Sequence, residues 1–235
     1  MIVLLMASRA GSAVGPPMLP DLNAHLHPSD STPWTILFVL TLITLLPAIL
    51  MCMTPLVRLL VVFHFLRQAL GTQTAPSNPT LLGLSLMMAW FLMAPVLNEV
   101  DQRAVEPYRQ GQINGWQAID MGSVPVKHFL LRYAREKDLA VFTAAGQIQR
   151  PNVPDDLPMR VVVPAYILSE LKAGFAIGAV LFLPFLLIDM VTASITTSIG
   201  MFQLPPVVVS TPLKILLFVM VDGWNLLAGS LLKSF

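Results

Sequence analysis

The stretch PAYILSELKAGFAIGAVLFLPFLLIDMV, residues 164–191, decides the fold. It is apolar and long enough to cross the roughly 30 Å hydrocarbon layer of a membrane as a helix. It also carries Glu170, Lys172 and Asp189, and Pro184 lies inside its apolar part. A charged side chain at bilayer depth costs at least about 2.5–3.5 kcal/mol, so it normally faces protein or water. The stretch therefore predicts a membrane helix that is kinked at Pro184. Its charged side chains are expected to contact other parts of the protein or water.

Glu170 and Lys172 cannot neutralise each other, because residues two apart on a helix point about 200° apart. Each therefore needs a partner from another element or a water-filled cavity. Glu170 shares its face with Gly174 and Gly178, which follow at steps of four. Such a glycine pair permits close helix contact, so we expect Glu170, Gly174 and Gly178 to lie together in an interface between subunits. A packing role for this acid and a role in proton or ion handling both remain open.

The composition is that of an integral membrane protein. Of 235 residues, 55% are hydrophobic and 11% are charged, against about a quarter charged in soluble domains. Four apolar runs have the length of a membrane span, namely 34–53, 80–98, 164–188 and 207–232. The net charge of +1, without a basic run, argues against nucleic acid as a partner.

The pattern predicts four regions. Residues 1–33 are interpreted as an N-terminal segment that ends in a polar extension. Its short apolar core fits either a signal-peptide remnant or no signal peptide. Residues 34–98 form a first helical hairpin, and 161–235 form a second. Residues 99–160, with eight basic and eight acidic residues, form a water-facing domain. The arginines between the first two spans favour a cytoplasmic loop there, so the water-facing domain is expected on the opposite side.

Two further segments have local signals. SVPVKHFLLRYAREKDLAVF, residues 123–142, has the apolar spacing of an amphipathic helix. The segment SIGMFQLPP, residues 198–206, interrupts the apolar pattern with Gly200 and two prolines. Broken backbone at membrane depth is tolerated only where it is buried in protein or lines a cavity. A pore-lining or re-entrant loop and a plain turn between antiparallel helices both fit this segment.

The chain lacks the sequence signatures of nucleotide binding, zinc proteolysis and serine hydrolysis. We therefore predict no catalytic residue and no cofactor. The clusters HLH at 25–27 and MCM at 51–53 offer ligands that soft copper prefers. Because the chain has 13 methionines, a Met-x-Met sequence is expected by chance. The two clusters also lie at opposite ends of one predicted helix, too far apart to share a metal ion. No metal site is predicted.

Four segments carry a family resemblance: FLRQALGTQTAPSN at 65–78, PAYILSELKAGFAIG at 164–178, FLPFLLIDMVTASITTSIGM at 182–201 and STPLKILLFVMVDGWNLLAGSLLKSF at 210–235. They closely resemble the FliP/SctR family, the export-gate proteins of flagellar type III secretion and of virulence injectisomes. The resemblance implies an all-α membrane protein with kinked helical hairpins and a small helical periplasmic domain. It also implies assembly into a helical oligomeric pore in the bacterial inner membrane, within the flagellar basal body and with a large part facing the periplasm.

The resemblance further implies partners. These are about five copies of the chain arranged around one axis, together with FliQ, FliR, FlhB and FlhA, membrane lipid and unfolded flagellar export substrates. The implied function is a portal for these substrates, with no enzymatic step. The alternatives are the injectisome subunit SctR, and a small-solute or metal transporter that uses Glu170, Lys172 and Asp189 as a relay. A scaffold without a pore is a third class.

Residue roles also follow from the resemblance. Phe129 and Phe142 match aromatic residues at subunit contacts of the periplasmic domain, and Glu170 matches the family's helix acid at a subunit interface. The family's pore constriction has three successive methionines, where this chain has Met201, Phe202 and Gln203. Flexible thioethers can close around a polypeptide. Our hypothesis is that Phe202 supplies the apolar part of the seal and that Gln203 points away from the axis.

Overall fold

A computed structural model describes residues 32–72, 74–148, 153–201 and 205–235. Within these residues the fold is all-helical, without strands. The helices are α1 (Thr32–Met53), α2 (Leu56–Ala69), α3 (Asn78–Val100), α4 (Glu106–Arg109), α5 (Gly115–Tyr133), α6 (Glu136–Ala145), α7 (Met159–Ser198), α8 (Pro206–Met220) and α9 (Gly223–Lys233). Helices α2 to α9 lie in one compact unit, which begins at Leu46.

The second apolar run forms a helix that is longer than predicted. Helix α3 begins at a capping residue, Ser77, whose Oγ accepts a hydrogen bond from the Thr80 backbone N–H at 3.4 Å. It continues through a π-helical turn at Asp101–Val105 into α4, so that one helix runs from Asn78 to Arg109. The sequence predicts an end at residue 98 because apolar residues become sparse there. The helix continues because polar residues here are compatible with it, including the Glu99–Arg103 pair one turn apart at 2.7 Å.

Helix α7 has 40 residues and exceeds the predicted span 164–188 at both ends. Both Pro164 and Pro184 lie inside it, and neither ends it. At about 1.5 Å per residue its length is about 60 Å, roughly twice the thickness of the hydrocarbon layer. It contacts α2, α5, α6 and α8. This helix is therefore the axis around which the unit that begins at Leu46 is built.

The predicted single span 207–232 is wrong in detail, because the structure has two helices there, α8 and α9, bent by 65°. Asp222 at the bend has a left-handed backbone, with φ at 50°, a conformation that aspartate tolerates better than most residues. The next residue, Gly223, lets the backbone approach the Phe218 ring. A Cβ there would lie 2.3 Å from two of its atoms. The bend therefore has a local cause in the Asp-Gly pair.

Fewer helices than the four predicted spans have the length and apolar character to cross a membrane. In the described ranges two helices qualify alone, Asn78–Arg109 and Met159–Ser198, and the bent pair α8–α9 would be a third. The apolar stretch Trp34–Ile49 of α1 is shorter. The predicted amphipathic helix 123–142 is two helices, α5 and α6. Between them the Arg135 backbone N–H donates to the Ser169 hydroxyl of α7 at 2.9 Å.

The buried apolar side chains form two clusters. The larger cluster joins α2 to α3, α7, α8 and α9, and its members include Leu59, Val62, Phe63, Leu66, Phe185, Phe218 and Leu231. The smaller cluster joins α3 and α5 to the start of α7, and its members include Met93, Phe129, Leu130, Val162 and Tyr166. These clusters place the charged residues of α7 against neighbouring helices.

Candidate functional site

Glu170 lies at the centre of the candidate site, and its side chain has no exposure to solvent. Arg58 of α2 donates a hydrogen bond from Nη2 to Glu170 Oε1. The Arg58 side chain is itself buried. The prediction that Glu170 has a partner on another element is therefore confirmed. Arg58 was not predicted as a site residue, because in the sequence it belongs to a basic segment between two predicted spans.

The last residues of the chain complete this site. Arg58 Nη1 donates to both the carbonyl oxygen and the hydroxyl of Ser234, each at 3.1 Å. The guanidinium carbon lies 3.8 Å from the centre of the Phe235 ring, a cation–π contact. The Tyr133 hydroxyl of α5 donates to the Phe235 carbonyl oxygen. One arginine therefore connects α2, α7 and the segment after α9.

Gly174 and Gly178 form the close helix contact that their spacing predicts, and α2 of the same chain occupies it. A Cβ on Gly174 would lie 3.0 Å from Val61 Cβ. A Cβ on Gly178 would lie 2.5 Å from Phe65 Cδ2. The face that carries Glu170 thus packs within the chain, and its role between subunits stays a prediction.

Lys172 also has a partner from another element, as predicted. Its ammonium donates to Asp138 Oδ1 of α6, and the Ser169 hydroxyl donates to Asp138 Oδ2 at 2.7 Å. Burial alone would raise the pKa of the Asp138 carboxyl. The hydrogen bonds from Lys172 and Ser169 and the charges of Lys172 and Arg135 outweigh that effect and lower the pKa below its ordinary 3.8. Asp138 is therefore ionised at neutral pH and joins α6 to α7.

Replacing Asp138 with asparagine is expected to lower the Tm at neutral pH. Because folding lowers the pKa of Asp138, its carboxylate contributes stability above its ordinary 3.8 and loses that contribution as the pH falls below this value. The Tm difference from the parent chain is therefore expected to shrink as the pH falls through 3.8. Thermal unfolding in detergent across this pH range measures it. The exposed Asp156→Asn is the control, and a Tm difference for Asp138→Asn that does not change with pH would contradict the assignment.

Asp189 is held by α8. Its Oδ1 accepts a hydrogen bond from the Ser210 hydroxyl and its Oδ2 from the Lys214 ammonium, each at 2.6 Å. The Lys214 side chain is buried. At about 1.5 Å per residue, Asp189 lies roughly 25 Å along α7 from Lys172. Glu170, Lys172 and Asp189 thus have separate partners on three other helices. Separate ion pairs of this kind are typical of contacts that hold helices together, whereas a proton relay needs its groups close to one another.

The remaining predicted site residues lie in two places. Phe129 is buried against Tyr133 and Tyr166, with ring centroids 5.0 and 6.1 Å away, and Phe142 is half-buried. Met201 is exposed and lies three residues after the end of α7. Phe202 and Gln203 lie outside the described residues.

The described ranges contain no group of three or more His, Cys, Asp or Glu side chains that could hold a metal ion. They contain paired charges, two apolar clusters and helices of membrane-spanning length instead. These features define an all-helical membrane protein whose ionised groups connect helices.

Comparison with known sequences identifies the family. The FliP family profile matches residues 39–231, and the chain belongs to the FliP family. It is 46% identical to the flagellar biosynthetic protein FliP of Pectobacterium carotovorum subsp. carotovorum, over 99% of this chain and 95% of that protein. It is 44% identical to FliP of Bacillus subtilis, over 85% and 90% of the two chains. It is 42% identical to FliP of Buchnera aphidicola subsp. Acyrthosiphon pisum, over 92% of this chain and 58% of that one.

Family membership confirms the resemblance found in the four sequence segments. The chain is a membrane-embedded component of flagellar biosynthesis and is not an enzyme.

Proposed function

We propose that this chain is a core channel subunit of the flagellar type III export apparatus. About five copies, arranged around one axis, form with FliQ and FliR the portal through which unfolded flagellar substrates cross the inner membrane. FlhB and FlhA are proposed neighbours of this complex. In this proposal the domain 99–160 faces the periplasm, and the complex is part of the flagellar basal body.

The observation that carries the proposal is the apolar surface of α7. Large apolar side chains are exposed from Leu171 to the C-cap residue Ile199. Among them are Phe175, Val180, Leu183, Leu187, Met190, Val191 and Ile195. At about 1.5 Å per residue this surface is about 42 Å long. An average tilt of about 20° reduces its height only to about 40 Å, whereas the hydrocarbon layer is roughly 30 Å thick. The remaining apolar surface needs neighbouring protein chains, which supports an assembly of several subunits.

The proposed mechanism is passive. Copies of the chain surround a narrow pore, and the segment after α7 lines its constriction. Met201 is an exposed residue of this segment, and Phe202 and Gln203 follow it in sequence. The constriction seals against ions and yields to an unfolded polypeptide, which the proton gradient and a separate ATPase drive. No residue of this chain acts as a catalyst in the proposal.

Replacing Phe202 with serine is expected to raise the leakage of small ions through the closed portal, because a small polar side chain cannot supply an apolar seal. Conductance of the purified complex in planar bilayers measures it. The control is Gln203→Leu, which is expected to leave conductance unchanged if that side chain points away from the axis. Parent-like conductance for Phe202→Ser, in a complex of normal composition, would contradict the seal.

Deletion of the gene tests the function. Flagellar export and motility are expected to be lost in the source bacterium and to return when the chain is supplied from a plasmid. Loss of virulence-effector secretion with normal motility would indicate the injectisome branch. Normal export by variants with several changes at 201–203 would indicate a scaffold without a pore.

A further inference from the structure

The polar contacts between α7 and α8 converge on one carboxylate. In the described part of the chain, both side-chain hydrogen bonds that join these two helices end on Asp189, one on each oxygen. Their donors, Ser210 and Lys214, are one turn apart on α8 and face the same side. Both donor residues are buried, and Lys214 is 2% exposed. The lysine charge is therefore removed from water and neutralised by Asp189.

Two bonds from one carboxylate to successive turns fix the axial position of α8 against α7. Ser210 and Lys214 are themselves one turn apart. A slide of α8 by one helical turn, about 5.4 Å, would therefore carry at least one of the two donors away from Asp189 and leave at most one of the two bonds. The apolar contact between these helices, such as the Phe185–Phe218 ring pair at 6.4 Å, lacks this directionality, because apolar attraction depends mainly on buried area.

Other hydroxyl groups near this end of α7 do not join the two helices. The Thr192 hydroxyl donates to the Ile188 carbonyl oxygen at 2.8 Å, and the Thr196 hydroxyl donates to the Thr192 carbonyl oxygen at 2.9 Å. Both bonds lie within α7. Asp189 therefore differs from its polar neighbours in what it connects.

We propose that Asp189, Ser210 and Lys214 form a clamp that sets the axial register of α8 against α7. This register in turn positions Met201, which follows α7, relative to Pro205, which precedes α8. The clamp residues are positioning residues that touch no export substrate. The consequence for export rests on the proposed function, whereas the register of the two helices does not.

The test measures the register directly. In a Cys52→Ser background, spin labels are placed on the exposed positions 195 and 208, and their separation is measured by pulsed electron paramagnetic resonance in the purified complex. The parent chain is expected to give a narrow distance distribution. Asp189→Asn and Lys214→Met are each expected to broaden it or shift it by about one turn, 5.4 Å. The double variant Asp189→Lys/Lys214→Asp restores opposite charges and is expected to narrow it again.

Controls keep the outcomes distinct. Thr192→Val removes a hydroxyl that bonds only within α7, and it is expected to leave the distribution unchanged. If Asp189→Asn does not accumulate, Ser210→Ala removes one of the two bonds and is expected to broaden the distribution. A parent-like distribution in the single variants and in Ser210→Ala would overturn the clamp, whatever happens to export. A broadened distance distribution between positions 195 and 208, together with normal export, would support the clamp. It would also count against the proposed pore role of α7 and α8.

Discussion

Replacing Glu170 with alanine is expected to lower the free energy of unfolding by about 3–5 kcal/mol, because it leaves the buried Arg58 charge without its carboxylate. Glu170 is fully buried and bonded to Arg58, so water cannot replace the lost partner without opening the packing of α2 on α7. A large fall in the Tm of the detergent-extracted complex and a loss of motility are the measured results.

The same substitution at an exposed pair is the matched control for Glu170. Glu99 pairs with Arg103 on the helix surface, where both side chains are about half exposed. Such pairs contribute about 0.2–1 kcal/mol, so Glu99→Ala is expected to leave the Tm nearly unchanged. The double variant Arg58→Met/Glu170→Leu removes both buried charges and is expected to recover part of the Tm. Equal effects of Glu170→Ala and Glu99→Ala would contradict the role of the buried pair.

Replacing Gly178 with alanine is expected to destabilise the chain by about 1–3 kcal/mol, the usual cost of overpacking. The new Cβ would lie 2.5 Å from Cδ2 and 2.9 Å from Cβ of Phe65. Because Phe65 Cβ is attached directly to the backbone, rotation of the ring alone cannot relieve the contact. Helices α2 and α7 must separate, which also strains the Arg58–Glu170 pair between them. Thermal unfolding of the complex measures the effect.

Two further variants distinguish this clash from a general effect of alanine. Gly83 lies in α3, where an added Cβ meets no atom within 4 Å. Gly83→Ala is expected to stabilise the helix slightly, since alanine is the better helix former. Adding Phe65→Ala to Gly178→Ala removes the clashing ring and is expected to recover part of the loss. A Tm for Gly178→Ala at or above the parent value would show that α2 does not approach α7 this closely.

The sequence predicted that the charges of α7 need partners, but it could not predict which partners. Helical spacing shows that Glu170 and Lys172 face different directions. It does not show which helix lies opposite each of them. Arg58 and Asp138 are each more than 30 residues away from their partners in the chain. Both lie in segments that the sequence pattern predicts to be in water.

The helix ends were predicted less well, for two physical reasons. Hydropathy falls after Asp189, yet α7 continues to Ser198. The hydroxyl groups of Thr192 and Thr196 find acceptors on the carbonyl groups of their own helix, so these polar residues are compatible with a helix. In the last apolar run hydropathy stays high across the Asp222-Gly223 pair. Hydropathy therefore predicts one span there, although an Asp-Gly pair is also a turn signal. Apolar content therefore located the helices but not where they end or bend.

The mass of the native complex tests the central claim most directly. The chain, co-expressed with FliQ and FliR and extracted in detergent, is expected to purify as one large assembly that contains several copies of itself and both partners. Native mass spectrometry measures this composition. A stable monomer or dimer without the partners, able to take up a small solute or metal when reconstituted, would contradict the portal and support a transporter.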